Sequence, residues 1–197
     1  MRLVLVRHGE TAGQSSIRYY GATDVPLSET GRAQMRRAAA ALAGEDFAAV
    51  YASDLARARE GARIVSGRAE VTAVPGFNEI DFGHWEGLTA EEIRRRDPEA
   101  YAAWAAQPAD FSYPGGEATA AFRARTVAAL HPLLAAAPPG ALLFVLHKGV
   151  IRNIVSELLQ FDGHARRQLA VELASIHVLS RVNGSWCAAG LDRVEHL

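Results

Sequence analysis

The sequence is poor in cysteine and in lysine, and it has neither an excess of one charge nor a long hydrophobic run. Cys187 is the one cysteine in 197 residues. It has no intrachain disulfide partner, so we expect a reducing, cytoplasmic location. The 21 basic and 22 acidic residues nearly balance, which excludes a nucleic-acid binder that depends on bulk attraction to phosphate. The apolar runs at 3–6 and 141–146 are too short to span a membrane.

The order of apolar patterns predicts an α/β fold. Strand-sized runs at 3–6, 47–52 and 141–146 alternate with helical patterns, which favours a three-layer α/β/α sandwich with a mostly parallel sheet. Ser28 is placed to cap the first helix, and Asn183-Gly184 is typical of a hairpin turn that closes the sheet. The last part of the chain predicts strands at 169–172, 176–182 and 185–189, the last with Cys187 as a buried small apolar residue.

Residues 84–116 interrupt this alternation. The segment is rich in aromatic residues and carries turn signals at Asp97-Pro98 and Pro114-Gly115-Gly116. We interpret it as a small helical lobe, inserted over the active site within a single domain of residues 1–197. Its tryptophans and tyrosines are expected to form the core of that lobe rather than to contact a substrate.

Two of the predicted strands end in the same way. The run at 3–6 is followed after one residue by His8 and then glycine, and the run at 142–146 is followed by His147, Lys148 and glycine. Ligands of open α/β sheets bind beyond the carboxyl ends of the strands. If these strands are neighbours, the two histidines face each other across such a site. One strand-end histidine alone is more often structural, but two in matching positions favour a functional pair.

Arg7 directly precedes the first histidine. A guanidinium remains charged at any working pH, and its planar fork of donors suits phosphoryl oxygens. A nearby cation also favours the neutral, nucleophilic form of an imidazole. This is the arrangement expected if His8 attacks phosphorus.

The pentad Arg7-His8-Gly9-Glu10-Thr11 resembles the signature of the histidine phosphatase superfamily, which is also called phosphoglycerate mutase-like. The resemblance continues in the family order over residues 3–152, in further blocks at 24–31, 53–58, 78–87, 115–117 and 147–152. It implies a phosphoglycerate mutase-like fold. It also implies a phosphoryl-transfer site that needs neither metal nor cofactor.

The resemblance assigns roles to particular residues. His8 would form a phosphohistidine, and Glu79 would act as general acid and then as general base. The phosphoryl oxygens would be bound by Arg7, Arg57 and His147. On helical spacing alone Arg57 would be a solvated charge, and only its place in the block at 53–58 selects it.

Other positions leave alternatives open. Asp81 and Glu86 compete with Glu79 as proton donor. Gln14 stands where the family commonly has a phosphate-binding asparagine, so its role would need a shifted geometry. Lys148 stands where the family often has glycine, and its ammonium either adds charge to the phosphate site or points away from it.

The reaction type is a separate prediction. Glu79 and His147 are 68 positions apart, whereas mutases of the family resemble longer chains. We therefore expect a phosphatase that leaves the phosphohistidine open to water. The alternatives are a phosphoglycerate mutase, a catalytically weak binding member and a metal-dependent phosphatase. The expected partner is a small phosphomonoester, with no nucleic acid or membrane, and a homodimer is left open.

Overall fold

The computed structural model describes residues 1–106 and 110–197. In these ranges six strands form one sheet in the order β3-β2-β4-β1-β5-β6. The strands are β1 (Arg2–Arg7), β2 (Phe47–Ala52), β3 (Thr72–Ala73), β4 (Ala141–Leu146), β5 (Ile176–Val182) and β6 (Ser185–Arg193). The helices of the same ranges are α1 (Glu29–Ala41), α2 (Ala56–Ser66), α3 (Ala90–Arg96), α4 (Pro98–Ala105), α5 (Thr119–Ala135), α6 (Lys148–Leu159) and α7 (Gly163–Gln168).

The sheet is mostly parallel and ends in a hairpin, as predicted. Strand β4 pairs in parallel with β1 and β2, and β3 pairs in parallel with β2. Strands β5 and β6 are antiparallel. Asn183 and Gly184 join them with φ angles of 49° and 85°, and a two-residue hairpin turn of this kind requires a positive φ at both positions.

Each face of the sheet has its own hydrophobic core. Successive side chains of a strand point to opposite faces, so Leu3 and Leu5 join one cluster while Val4 and Val6 join the other. The leucine face is covered by α5 and α6, and the valine face by α1 and α2. The result is the expected three-layer α/β/α sandwich. No helix in the described part of the chain is both long and apolar enough to cross a membrane.

Strands β1 and β4 lie side by side at the centre of the sheet. They are parallel, and Arg7 at the end of β1 is opposite Leu146 at the end of β4. The residue after each strand is a histidine, and the His8 amide donates to the Leu146 carbonyl at 2.9 Å. Both imidazoles therefore leave the sheet at the same edge.

Two predictions near the end of the chain are wrong. Residues 169–172 form no strand, because the Leu169 carbonyl accepts from Arg152 Nε at 2.9 Å and the Val171 carbonyl accepts from an Arg7 Nη at 2.8 Å. Arginine side chains thus take the place of a strand partner. Cys187 is exposed rather than buried, because it lies on the edge strand β6 and alternates with Trp186, which packs against the core.

The segment 84–116 contains α3 and α4 and forms an aromatic cluster. Trp85 is at its centre, only 1% exposed, in contact with the rings of Tyr101, Trp104 and Phe111. Trp104 and Phe111 also line the cavity at the carboxyl edge of the sheet. Residues 107–109 of the predicted lobe lie outside the described residues.

Candidate active site

A cavity of about 830 Å³ opens at the carboxyl edge of β1 and β4. Four of the predicted site residues line it, namely Arg7, His8, Glu79 and Lys148. His147 contacts the ring of His8, and Arg57 donates a hydrogen bond to His147. Both side chains are buried, and neither lines the cavity. The structure thus brings six of the seven predicted residues together.

His8 has one ring nitrogen available for chemistry. Its Nδ1 lies 2.7 Å from the carbonyl oxygen of Gly9. A carbonyl can only accept, so Nδ1 carries the proton and Nε2 has the free lone pair. Burial, and then the charges of Arg57 and Arg7, lower the pKa of His8 well below its usual value. The imidazole is therefore neutral and nucleophilic near neutral pH.

His147 is held as a neutral imidazole of defined tautomer. Arg57 Nε donates to its Nδ1 at 3.3 Å, so its Nε2 carries the proton and donates to Ser53 Oγ at 2.7 Å. Burial and the charge of Arg57 lower the pKa of His147 well below its usual value. The ring centroids of His8 and His147 are 5.1 Å apart, so two uncharged imidazoles share this corner of the site.

Arg57 is fully buried, so the solvated-charge interpretation from its helical spacing is wrong. Its guanidinium donates to the carbonyls of Thr23 at 2.8 Å and Gly21 at 2.6 Å, in addition to His147. Glu86 in turn accepts from backbone amides of the loop at 21–23, which keeps those carbonyls in place. Several carbonyl acceptors compensate the desolvation of the buried charge.

Arg7 supplies a second guanidinium, and this one faces the cavity. One Nη donates to the Val171 carbonyl at 2.8 Å. Its Nε is buried and has no hydrogen-bond partner among residues 1–106 and 110–197. A buried N–H without an acceptor is costly, so the protein leaves part of the donor capacity of this guanidinium unused beside the cavity.

Glu79 is the carboxylic acid of the cavity. It is 7% exposed, and its two oxygens accept from the amides of Ile80 at 3.0 Å and Gly149 at 2.8 Å. Burial raises its pKa, although these amides and the neighbouring arginines oppose the shift. The rival residues Asp81 and Glu86 do not line the cavity, since their oxygens accept from backbone amides elsewhere.

Sequence reasoning did not assign a role to two residues that support this site. Ser53 holds Nε2 of His147, and it could have been noticed because it opens the family block that contains Arg57. Arg125 donates to the carbonyls of Gly76, Asn78 and Glu79 at 2.7–3.1 Å, which positions the backbone that carries the acid. Nothing in the local sequence of α5 indicates this role.

The two departures from the family pattern have different outcomes. Lys148 begins α6 and lines the cavity, and burial, Arg152 and Arg7 lower the pKa of its ammonium. Gln14 is exposed, with a φ of 63°, and does not line the cavity. The structure therefore supports the cavity-facing interpretation of Lys148 and does not bring Gln14 to the site.

No group of three or more histidine, cysteine, aspartate or glutamate side chains is arranged to hold a metal ion in the ranges that the structure describes. What the cavity contains is a neutral imidazole with a free Nε2, a guanidinium without a full set of acceptors and a buried carboxyl group. Such a set can attack phosphorus, stabilise oxyanions and donate a proton.

The model of the histidine phosphatase superfamily, branch 1, matches residues 3–192. The chain belongs to this superfamily. Together with the named phosphatases among its relatives and solved structures, this membership confirms the expected phosphoglycerate mutase-like fold and the enzyme class, a hydrolase of phosphate monoesters.

Relatives within the superfamily match almost the whole of this chain. It is 35% identical to an adenosylcobalamin/alpha-ribazole phosphatase of Salmonella typhimurium, covering 87% of this chain and 86% of the relative. It is 31% identical to a metal-independent phosphoserine phosphatase of Arabidopsis thaliana, covering 99% and 82%. A solved structure of mycobacterial glucosyl-3-phosphoglycerate phosphatase with VO3 superposes with a TM-score of 0.87 at 29% identity, covering 98% and 99% of the two chains.

Proposed function

We propose that this histidine phosphatase hydrolyses a small phosphomonoester through a phosphohistidine on His8, without a metal ion. One observation carries the proposal: His8, whose ring is neutral and whose Nε2 has the free lone pair, lines a cavity together with Arg7 and Glu79. Phosphoryl transfer is catalysed mainly by positioning and by stabilisation of charge. These residues supply both.

In the first half-reaction the lone pair of His8 Nε2 attacks phosphorus as the bond from phosphorus to the ester oxygen breaks. The departing oxygen takes a proton from the carboxyl group of Glu79, so an alcohol leaves and a carboxylate remains. Arg7, which lines the cavity, binds a phosphoryl oxygen through its guanidinium. Arg57 remains on its carbonyl partners and on His147, and its positive charge next to His8 stabilises the transferring phosphoryl group.

In the second half-reaction water attacks the phosphorus of the phosphohistidine. The carboxylate of Glu79 accepts the proton of that water, the bond from phosphorus to nitrogen breaks, and His8 and Glu79 return to their starting states. Water is favoured over a second substrate hydroxyl because the segment between Glu79 and His147 is short, which leaves the phosphohistidine open to solvent.

The proton on Glu79 follows from its surroundings. Burial already raises the pKa of the carboxyl group, while Arg57 and Arg7 oppose the shift. A bound phosphate dianion neutralises those two cations and adds negative charge next to the carboxyl. Both effects raise the pKa of Glu79 further, so substrate binding itself prepares the general acid.

The relatives support a small phosphorylated metabolite as substrate. Two of them are named for alpha-ribazole and phosphoserine, and a third for glucosyl-3-phosphoglycerate. These are different phosphomonoesters on one fold, so the choice among them depends on side chains outside the phosphoryl site.

The test is to trap the phosphoenzyme. The protein is incubated briefly with a ³²P-labelled phosphomonoester in excess chelator, then denatured and captured. We expect a label that is stable in base and lost in acid, present in wild type and in the control His131→Ala, whose imidazole is exposed on α5. The label should be absent in His8→Ala. A stable label in His8→Ala, or a label abolished by the chelator, would contradict the proposal.

A further inference from the structure

One wall of the cavity carries more positive charge than a phosphoryl group requires. Lys148 and Arg152 from α6, and Arg166 and Arg167 from α7, all line it. None of these four side chains has a carboxylate oxygen within 4.0 Å among the described residues. Arg18, which also lines the cavity, is by contrast paired with Glu92 at 2.9 Å.

The arginines of this wall are held in place by hydrogen bonds, but some of their N–H groups have no acceptor. Arg152 Nε donates to the Leu169 carbonyl at 2.9 Å, and an Arg166 Nη donates to Asn153 Oδ1 at 3.0 Å. The Nε atoms of Arg166 and Arg167 are buried and have no hydrogen-bond partner within residues 1–106 and 110–197. Buried donors without acceptors are costly, so the protein leaves the positive charge of these two arginines only partly compensated.

The four cations also act on one another. Burial is the main cause that lowers the pKa of Lys148, and the charge of Arg152 adds to it. Burial and then Arg166 lower the pKa of Arg152, against the attraction of Glu79 and Glu172. Glu172, which also lines the cavity, and then Asp192 attract the Lys148 ammonium. An anion placed among these cations would relieve their repulsion.

The wall begins at the reacting centre and leads away from it. Lys148 follows His147 directly, Arg152 lies one helical turn further along the same face of α6, and α7 continues the wall. One turn of helix advances about 5 Å. A group bound here is therefore separated from the phosphorus by a short chain of atoms.

We infer that Lys148, Arg152, Arg166 and Arg167 form a second-anion subsite, which binds a carboxylate or a second phosphate of the substrate. The natural substrate is then a phosphomonoester with a second anionic group a few bonds from the phosphorus. This inference rests on the proposed function, because it assumes that the phosphomonoester is hydrolysed at His8.

The test compares ligands that differ only in the second group. The ligand 3-phosphoglycerate has a carboxylate where glycerol 3-phosphate has a hydroxymethyl group, and 1,3-propanediol bisphosphate has a phosphate where 3-hydroxypropyl phosphate has a hydroxyl. Dissociation constants are measured by calorimetry in the His8→Ala background, and kcat/KM is measured with an intact His8. The pair with the larger preference identifies the second anion as carboxylate or phosphate.

We expect Arg166→Gln/Arg167→Gln to weaken binding of the doubly anionic ligand by about 10- to 100-fold, because it loses charge-assisted hydrogen bonds. Binding of the singly anionic partner should change by less than about threefold, since surface charges at a distance are screened. The single variant Arg167→Gln should show the same selectivity with a smaller loss. The control Arg36→Gln/Arg37→Gln removes two adjacent exposed charges from α1 and should leave both constants unchanged.

Equal losses on both ligands of a pair, no loss on either, or no preference of the wild type for the second anion would overturn the subsite. A different result would overturn the proposed function: no hydrolysis of any phosphomonoester, p-nitrophenyl phosphate included, by wild type. Because the binding contrast in His8→Ala needs no turnover, the two failures are distinguished.

Discussion

Replacing Gly149 with alanine tests the placement of the general acid through a single methyl group. A Cβ at this position would lie 2.5 Å from Glu79 Oε1 and 2.9 Å from a ring carbon of Phe122. The Gly149 amide also donates to Glu79 Oε2 at 2.8 Å. The methyl group and the carboxyl cannot both keep their positions, so Glu79 must shift away from the beginning of α6.

The expected effect on stability is small, and the effect on catalysis is larger. Overpacking costs about 1–3 kcal/mol, whereas alanine in place of glycine within a helix returns about 1 kcal/mol. A misplacement of about 1 Å can cost on the order of 100-fold in rate. We therefore expect kcat for alkyl phosphates to fall by about 10- to 100-fold, and kcat for p-nitrophenyl phosphate, whose leaving group needs little protonation, to fall much less.

The assay measures steady-state kinetics on both substrates together with the melting temperature. Gly44→Ala is the matched control, because a Cβ there meets no atom within 4 Å. Equal losses on the alkyl and aryl substrates, or wild-type rates on both, would refute the reasoning that links Gly149 to the acid.

Two further predictions concern protons. For Glu79→Gln we expect a loss of about 100-fold or more on alkyl phosphates and a smaller loss on p-nitrophenyl phosphate; Asp81→Asn is the control, and equal losses on both substrates would argue against the acid role. Burial lowers the pKa of His177 to about 4. Below about pH 6.5 the unfolded chain therefore binds a proton at His177, whereas the folded chain binds it only near pH 4. Urea titrations should show the free energy of unfolding falling by about 3 kcal/mol from this residue between pH 6.5 and 4, with His8 and His147 adding losses of the same sign. His177→Gln should remove about one proton from that slope, and an unchanged slope would contradict the assignment.

Much of the fold and of the site could be predicted from local pattern. The runs that became β1 and β4 are apolar on both faces, and such runs suit central parallel strands. A residue that follows such a strand emerges at the carboxyl edge of the sheet. For this reason the sequence predicts that His8 and His147 lie together if their strands are neighbours, and the pairing of β1 with β4 meets that condition.

Other features could not be predicted because their partners are distant in sequence. Arg57 can be buried because carbonyls of the loop at 21–23 accept hydrogen bonds from its guanidinium. The spacing of residues along α2 does not predict this contact with a distant loop. Residues 169–172 have the pattern of a strand, but two of their carbonyls accept hydrogen bonds from the side chains of Arg7 and Arg152 instead of from a neighbouring strand. The residue type of Cys187 predicts burial, but the residue is exposed because β6 lies at the edge of the sheet.

Local runs of residues are enough to establish most of the order of strands and helices, the pair of strand-end histidines and the family of the protein. Three further properties follow only from the folded chain: which nitrogen of His8 is free, which of three carboxylates faces the cavity, and which cations lie beside the reacting centre. These properties depend on contacts between remote segments, where burial and hydrogen bonding set the protonation and the charge of each group.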